Sequence, residues 1–236
     1  MSKFESFTPG GVAVVIGASG GIGSALFSAL NETGRFKTVL GFSRRSPLPI
    51  DLADEASLER AAKAAAADGE IRLVIDATGF LHQGGEGPEK TWRELDAQKL
   101  ATAFAINAIG PALLMKHFLP RLPRTGKTVF ATLSARVGSI GDNRLGGWYG
   151  YRASKAALNQ FVRTASVELA RRAPEAVCVA LHPGTVDTHL SVPFAKQGLD
   201  LHSPDAAAAN LLSVLDRLNK EDTGGFFDWQ GARVPW

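Results

Sequence analysis

Tyr151 and Lys155 stand four residues apart in the stretch Gly147-Trp148-Tyr149-Gly150-Tyr151-Arg152-Ala153-Ser154-Lys155-Ala156-Ala157-Leu158-Asn159. Alanines, Leu158, Phe161 and Val162 follow at helical spacing, with no breaker before Pro174, so the stretch opens a helix. Residues i and i+4 share one face of a helix. An ammonium beside a phenol favours the phenolate and lowers its pKa. A phenol titrating near neutrality can exchange a proton with a carbonyl or alcohol oxygen. A lone pair at this spacing is more often a solvated helix face, so its meaning depends on the rest of the chain. Tyr149 offers no second pair, because Ala153 stands four residues on.

A second cluster able to do chemistry lies near the start. Val12 to Ile16 is a continuous apolar run, as expected of a parallel strand buried on both faces. Gly17-Ala18-Ser19-Gly20-Gly21-Ile22-Gly23 follows, and Ala25, Leu26, Ala29 and Leu30 then recur at helical spacing up to Gly34. Strand, glycine-rich turn and helix in that order suit a pyrophosphate resting on backbone N–H groups at a helix N-terminus. Thr38 to Phe42 reads as the second strand, and Ser43-Arg44-Arg45 follows it. An NAD site usually has a carboxylate here for the ribose 2′-hydroxyl. Its absence, with two guanidiniums available for a 2′-phosphate, favours NADP over NAD.

The elements that would position these groups alternate along the chain. No parallel crossover fits between Arg44 and Leu48, since one needs a dozen or more residues. The sequence therefore predicts no helix between the second strand and Pro47-Leu48-Pro49-Ile50-Asp51-Leu52, which is at most an edge extension. Asp54 to Ala67 reads as an alanine-rich helix capped by Asp54 or Ser57. Ile71 to Ile75 is a buried strand ending at Asp76-Ala77-Thr78-Gly79, and a loop runs from Phe80 to Lys90. Leu95 to Leu119 is a long helix or a helix pair. Inside it Asn107 is a polar residue in apolar company, beside the kink-prone Gly110-Pro111. Thr128 to Leu133 and Val177 to Leu181 are strands, ending at Ser134 and at His182-Pro183-Gly184-Thr185-Val186-Asp187-Thr188. Residues 189–203 have the irregular composition of a substrate lid. Asp205 to Leu218 is a helix, and Gly225 to Trp229 a short last strand.

This alternation predicts one α/β domain over residues 1–236, a Rossmann-type doubly wound parallel sheet with helices on both faces. Ligands of such sheets bind beyond the carboxyl ends of the strands. The glycine turn, Ser43-Arg44, Asp76 to Gly79, Ser134 and His182 to Thr188 should therefore converge on one edge.

Composition narrows the alternatives. The 236 residues are 45% hydrophobic and 21% charged, ordinary for a globular chain with a real core. A net charge of +3, spread along the chain, gives little support to nucleic acid as a partner. The single cysteine, Cys178, lies in an apolar run and reads as a core residue. It excludes an internal disulfide and a cysteine-based metal cluster, and it suits a reducing cytoplasm. No metal site is expected. Met1 to Gly10 has no apolar core of a signal peptide, and no apolar run reaches the roughly 20 residues of a membrane span.

Taken together these motifs resemble the short-chain dehydrogenase/reductase family over nearly the whole chain. Gly17, Gly21 and Gly23 match its glycine motif, Asn107, Tyr151 and Lys155 its catalytic Asn and YxxxK, and Pro183-Gly184 with Thr188 its post-strand cofactor motif. The string GGWYGYRASKAALN is similar to the branch containing C-signal (C-factor) and sniffer-type carbonyl reductases. The resemblance implies an NADP-dependent oxidoreductase acting on a ketone or aldehyde, or on the corresponding alcohol. Tyr151 would be general acid or base, and Lys155 would hold the nicotinamide ribose and lower the Tyr151 pKa. Asn107 would hold a water linking Lys155 to solvent. A serine would bind the substrate oxygen, and Gly17, Ser19, Gly21, Ile22, Gly23, Ser43, Arg44, Asp51, Ala77, Thr78, Gly79, Pro183, Gly184, Val186 and Thr188 would contact the cofactor. It also implies a homodimer or homotetramer. The C-signal likeness leaves a second possibility, a cofactor-binding signalling protein with incidental catalysis.

Three departures stand out. The family's Ser-x-x-Gly frame here reads Ala135-Arg136-Val137-Gly138, leaving Ser134, Ser139 or no residue for the serine role, with Ser134 preferred. Asp76 and Ala77 replace two asparagines. The missing crossover helix shortens the adenine side, near Asp51.

Overall fold

The computed structural model describes residues 4–82, 87–188 and 201–236. Six parallel strands form the central sheet: β1 (Val12–Ile16), β2 (Thr38–Phe42), β3 (Ile71–Asp76), β4 (Thr128–Leu133), β5 (Ala176–His182) and β8 (Phe226–Asp228), in the order β2-β1-β3-β4-β5-β8. Every neighbouring pair is parallel. A second, two-stranded pairing joins β6 (Thr185–Val186) to β7 (Leu201–His202). The helices are α1 (Gly21–Thr33), α2 (Glu55–Asp68), α3 (Ala97–Phe104), α4 (Gly110–Phe118), α5 (Tyr149–Arg172) and α6 (Pro204–Arg217).

Side-chain alternation along the strands divides the core into two layers. Val12, Val14 and Ile16 join a buried layer with Leu58, Phe118, Leu158 and Val162. Ala13 and Val15 join the opposite layer with Leu26, Leu30, Leu211 and Leu215. The helices therefore cover both faces, as the strand–helix alternation predicts. Cys178 is fully buried in the first layer, where burial pushes its thiol up to about 12.

Between Phe42 and Glu55 there is neither helix nor strand. The expected absence of a helix after β2 is what the fold has. The Pro47–Leu52 segment does not extend the sheet either: Ile50 N–H returns to the Ser43 carbonyl (3.0 Å), and β2 is the sheet edge. α2 then makes the crossover to β3, with Asp54 as its N-cap accepting from Ala56 N–H at 3.1 Å. Ser57, the other candidate cap, binds the Asp51 and Asp54 carbonyls instead.

The helix pair between β3 and β4 is interrupted. A π turn spans Ala105–Ile109 between α3 and α4, and it places Asn107. By length and composition the run Ala97–Arg121 could cross a membrane. Ala103, Asn107, Leu114, Met115 and Phe118 on it are buried within the fold, as in a core helix. Most of the anticipated lid, residues 189–200, lies outside the described residues; Leu201 and His202 at its end form β7.

Candidate active site

The carboxyl ends of β1, β3, β4 and β5 bring the candidate residues together. At the first of them Gly17 has φ +84°, a conformation costly for any residue with a Cβ. Gly23 packs so tightly on the turn that a Cβ there would sit 2.1 Å from the Gly17 carbonyl oxygen. A Cβ on Gly17 would lie 3.1 Å from the Ala77 carbonyl and 3.3 Å from Thr78 Cγ2, and one on Gly21 would lie 2.8 Å from Thr188 Cγ2. The glycine turn is thus packed against both the β3 end and the segment after β5.

This arrangement fits a dinucleotide. Gly20 precedes α1 and no side chain caps the helix. Its first-turn N–H groups remain available to an anion, and the helix dipole favours one there. Ser19 is exposed beside them. At the end of β2 Ser43 is buried and accepts from Arg45 N–H at 3.1 Å, while Arg44 and Arg45 are exposed. Among the described residues neither guanidinium forms an ion pair. Asp51 is exposed and its carboxylate accepts from Ala53 N–H at 2.9 Å.

α5 carries the other half of the site. Its N-cap, Trp148, has φ +53° and gives no side-chain cap. Glu89, a residue the sequence pattern does not single out, does that work. Its carboxylate accepts from Gly150 N–H at 3.1 Å and its backbone carbonyl from Trp148 N–H at 2.5 Å. A negative charge at a helix N-terminus is stabilising by about 0.3–1 kcal/mol. The cap fixes the first turn of α5, where Tyr151 sits. The Trp148 ring meets Tyr151 edge-on, with centroids 6.1 Å apart. Tyr151 opens on a cavity of about 300 Å³ whose walls include Phe80, Leu81, Pro88, Glu89 and Ala103.

Lys155 is 2% exposed, and its ammonium donates to the Leu133 carbonyl at 2.7 Å. It lies over the Tyr151 ring, 5.9 Å from the centroid. The structure corrects one expectation here. The Tyr151 phenol is not lowered toward neutrality: burial pushes it up to about 12. The ammonium is aimed at Leu133 rather than at the hydroxyl, and the loss of solvent around the phenol dominates. Burial lowers Lys155 itself to about 8, against an opposing pull from Asp76.

Asn107 is fully buried and acts as a clamp. Its Oδ1 accepts from Phe80 N–H (2.8 Å), and its Nδ2 donates to the Phe80 carbonyl (2.8 Å) and to Ser154 Oγ (3.1 Å). Both amide hydrogens are used within the protein. The side chain thereby ties the loop after β3 to α5.

The preference for Ser134 is also corrected. Ser134 is 3% exposed, and its hydroxyl donates to Asn159 Oδ1 at 2.7 Å. Asn159 is two helical turns past Tyr151, about 12 Å along the axis, so the hydroxyl proton is committed away from the phenol. Ser139 is buried too, and its Oγ accepts from Asp142 N–H at 3.1 Å. It follows a 3-10 turn, Arg136–Gly138, that packs on α5 so closely that a Cβ on Gly138 would lie 2.7 Å from Lys155 Cβ. Ala135 fills the frame position itself.

With this geometry in view, similarity to known proteins is specific. A family model described as Enoyl-(Acyl carrier protein) reductase matches residues 19–212. The chain belongs to the short-chain dehydrogenase/reductase family. It is 42% identical to the C-signal of Myxococcus xanthus over 143 residues, 61% of this chain and 82% of that protein. The NADPH-bound carbonyl reductase from chicken fatty liver superposes with a TM-score of 0.84 at 25% identity, covering 98% of this chain and 96% of that one. The carbonyl reductase Sniffer of D. melanogaster shares the fold, with a TM-score of 0.81 at 22% identity over 96% and 99% of the two chains. The protein is accordingly an NAD(P)-dependent short-chain dehydrogenase/reductase of the carbonyl reductase kind. Among the described residues no group of His, Cys, Asp or Glu is placed to hold a metal ion.

Proposed function

We propose that the chain is an NADPH-dependent reductase of a small ketone or aldehyde in which Tyr151 donates the proton. The observation that carries this reading is the pairing of half-buried Tyr151 with buried Lys155 on the capped first turns of α5, with Tyr151 opening on the cavity beside Phe80 and Glu89. When bound, the reduced nicotinamide supplies the hydride. The protein supplies orientation and electrostatics. Burial keeps the phenol protonated across the physiological range, so the donor proton is in place when the substrate binds. Its O–H bond breaks as the substrate oxygen takes the proton. The ammonium of Lys155, over the ring, stabilises the phenolate left behind.

The cofactor's pyrophosphate would rest on the first turn of α1 at Gly21, Ile22 and Gly23, and Arg44 would take the 2′-phosphate. Ala77 to Gly79, Pro183, Gly184, Val186 and Thr188 would form the facing wall. The NADPH-bound state of the chicken carbonyl reductase supports the choice of phosphate form. Steady-state reduction of a broad panel of carbonyl compounds with NADPH and with NADH tests the proposal. Turnover with NADPH is expected, and no turnover with either cofactor on any member of the panel would contradict it.

A second reading is favoured by one observation. Ala135 stands in the serine position of the family frame, and Ser134 is committed to Asn159. A site lacking that donor suits a cofactor-binding signalling protein whose catalysis is incidental, consistent with the likeness to C-signal. Biological activity that survives Tyr151→Phe would favour it. In either case we propose a homodimer or homotetramer, supported by the exposed Ile109, Phe161 and Val167 on the π turn and α5. Light scattering showing a monomer would oppose that assembly.

A further inference from the structure

Behind the Tyr151–Lys155 pair lies a buried carboxylate. Asp76 closes β3 with no solvent exposure. Its Oδ2 accepts from Thr132 Oγ at 2.6 Å, and its Oδ1 accepts from Thr78 Oγ at 2.6 Å and Thr78 N–H at 3.0 Å. Each partner is a donor, which suits an ionised carboxylate, able only to accept. Lys155 is fixed one residue further along the same strand, since its ammonium donates to the Leu133 carbonyl. Asp76 and Lys155 are therefore held by adjacent residues at the end of β4.

We propose that Asp76 is the buried counter-charge of Lys155 and a positioning residue of the proton-transfer site. This rests on the reading of Lys155 as the partner of Tyr151. Asp76 does not touch the reacting atoms; it acts through Lys155. A lone ammonium in this setting is costly unless a charge of opposite sign accompanies it. Among the described residues, Asp76 is the charged side chain whose pull on Lys155 is felt. α5 contributes Tyr151, β3 contributes Asp76, and β4 contributes only a carbonyl. Arg136, on the 3-10 turn against α5, is directed to Asp142 and Asp228. Burial lowers Lys155 and Asp76 opposes the shift; burial raises Asp76, while its three donors and Lys155 oppose that. A neutral residue at position 76 leaves burial of Lys155 unopposed.

The test follows Lys155 directly, by NMR titration of the lysine side-chain resonances, with Lys155 assigned from the Lys155→Met spectrum. In parallel, kcat/KM for NADPH-dependent carbonyl reduction is measured against pH. Asp76→Asn keeps an acceptor for Thr78, and the Thr132 hydroxyl can turn to accept from the new amide. The expected result is a Lys155 titration displaced downward by about one pH unit or more, with the alkaline limb of the rate profile moving by the same amount. An unchanged Lys155 titration in folded Asp76→Asn overturns the proposal. A shifted titration with an unmoved rate profile also overturns it, because Asp76 would then be a counter-charge without a part in the reaction. If Asp76→Asn does not fold, Asp76→Ser removes the same charge and is expected to move both readouts the same way; no movement overturns the proposal. Because the titration needs no substrate, failure to find carbonyl turnover would count against the reductase reading and leave the Asp76–Lys155 relationship independently decided.

Discussion

The hydroxyl of Ser134 donates to Asn159 at 2.7 Å, joining the end of β4 to the third turn of α5. Lys155, one turn nearer the helix start, is joined to the same strand end through Leu133. Adjacent strand residues thus meet successive turns of α5. The strand end works as a brace for the helix that carries Tyr151.

That brace gives the first prediction. Ser134→Ala should cost about 1 kcal/mol of stability, a fall in Tm of about 2–4 °C, while kcat/KM for carbonyl reduction stays within about threefold of wild type. Thermal denaturation and steady-state kinetics check both halves. A loss of two or more orders of magnitude in turnover with unchanged Tm would return Ser134 to the reaction.

In the proposed reading Arg44 sets the cofactor choice. Arg44→Ala should raise the Kd for NADPH about 10- to 100-fold, the worth of one or two charge-assisted bonds, and leave the Kd for NADH unchanged. Fluorescence titration of both cofactors measures it. Equal weakening of both would mean that Arg44 does not recognise the 2′-phosphate.

His182, just before Pro183-Gly184, predicts a pH dependence of stability. Burial, aided by Arg136 and His202 and opposed by Asp228, pushes it down to about 4 from the ordinary 6.5. Below pH 6.5 the unfolded chain takes up a proton that the folded chain refuses until about pH 4. The contribution is therefore whole above pH 6.5 and is lost as pH falls through that window, at up to about 1.4 kcal/mol per pH unit. Urea unfolding at pH 6.5 and pH 5 should show the loss, and His182→Phe should reduce it. Identical slopes in the two proteins would contradict the assignment.

The strands and most helices were legible because apolar runs, glycine turns and helical spacing are local signals. β1, β2 and β4 have the bounds that their sequences predict. Tyr151, Lys155 and the glycine turn were legible for the same reason. What escaped depends on partners distant in sequence. Glu89 reaches Gly150 across 61 residues, and no spacing pattern marks a capping group supplied from a separate loop. The hydrogen-bond direction of Ser134 depends on where Asn159 falls on α5. The upward shift of Tyr151 depends on how deeply the hydroxyl is enclosed and on the Leu133 carbonyl drawing the Lys155 ammonium. Helical spacing shows that a phenol and an ammonium share a face, but not where the ammonium points.

The central claim is that Tyr151 gives the proton. Its most direct test is the turnover of purified Tyr151→Phe with NADPH and the best carbonyl substrate from the panel. The variant should lose about 10²- to 10⁴-fold in kcat while binding NADPH within a few-fold of wild type. Turnover within tenfold of wild type, with cofactor binding intact, would contradict the account.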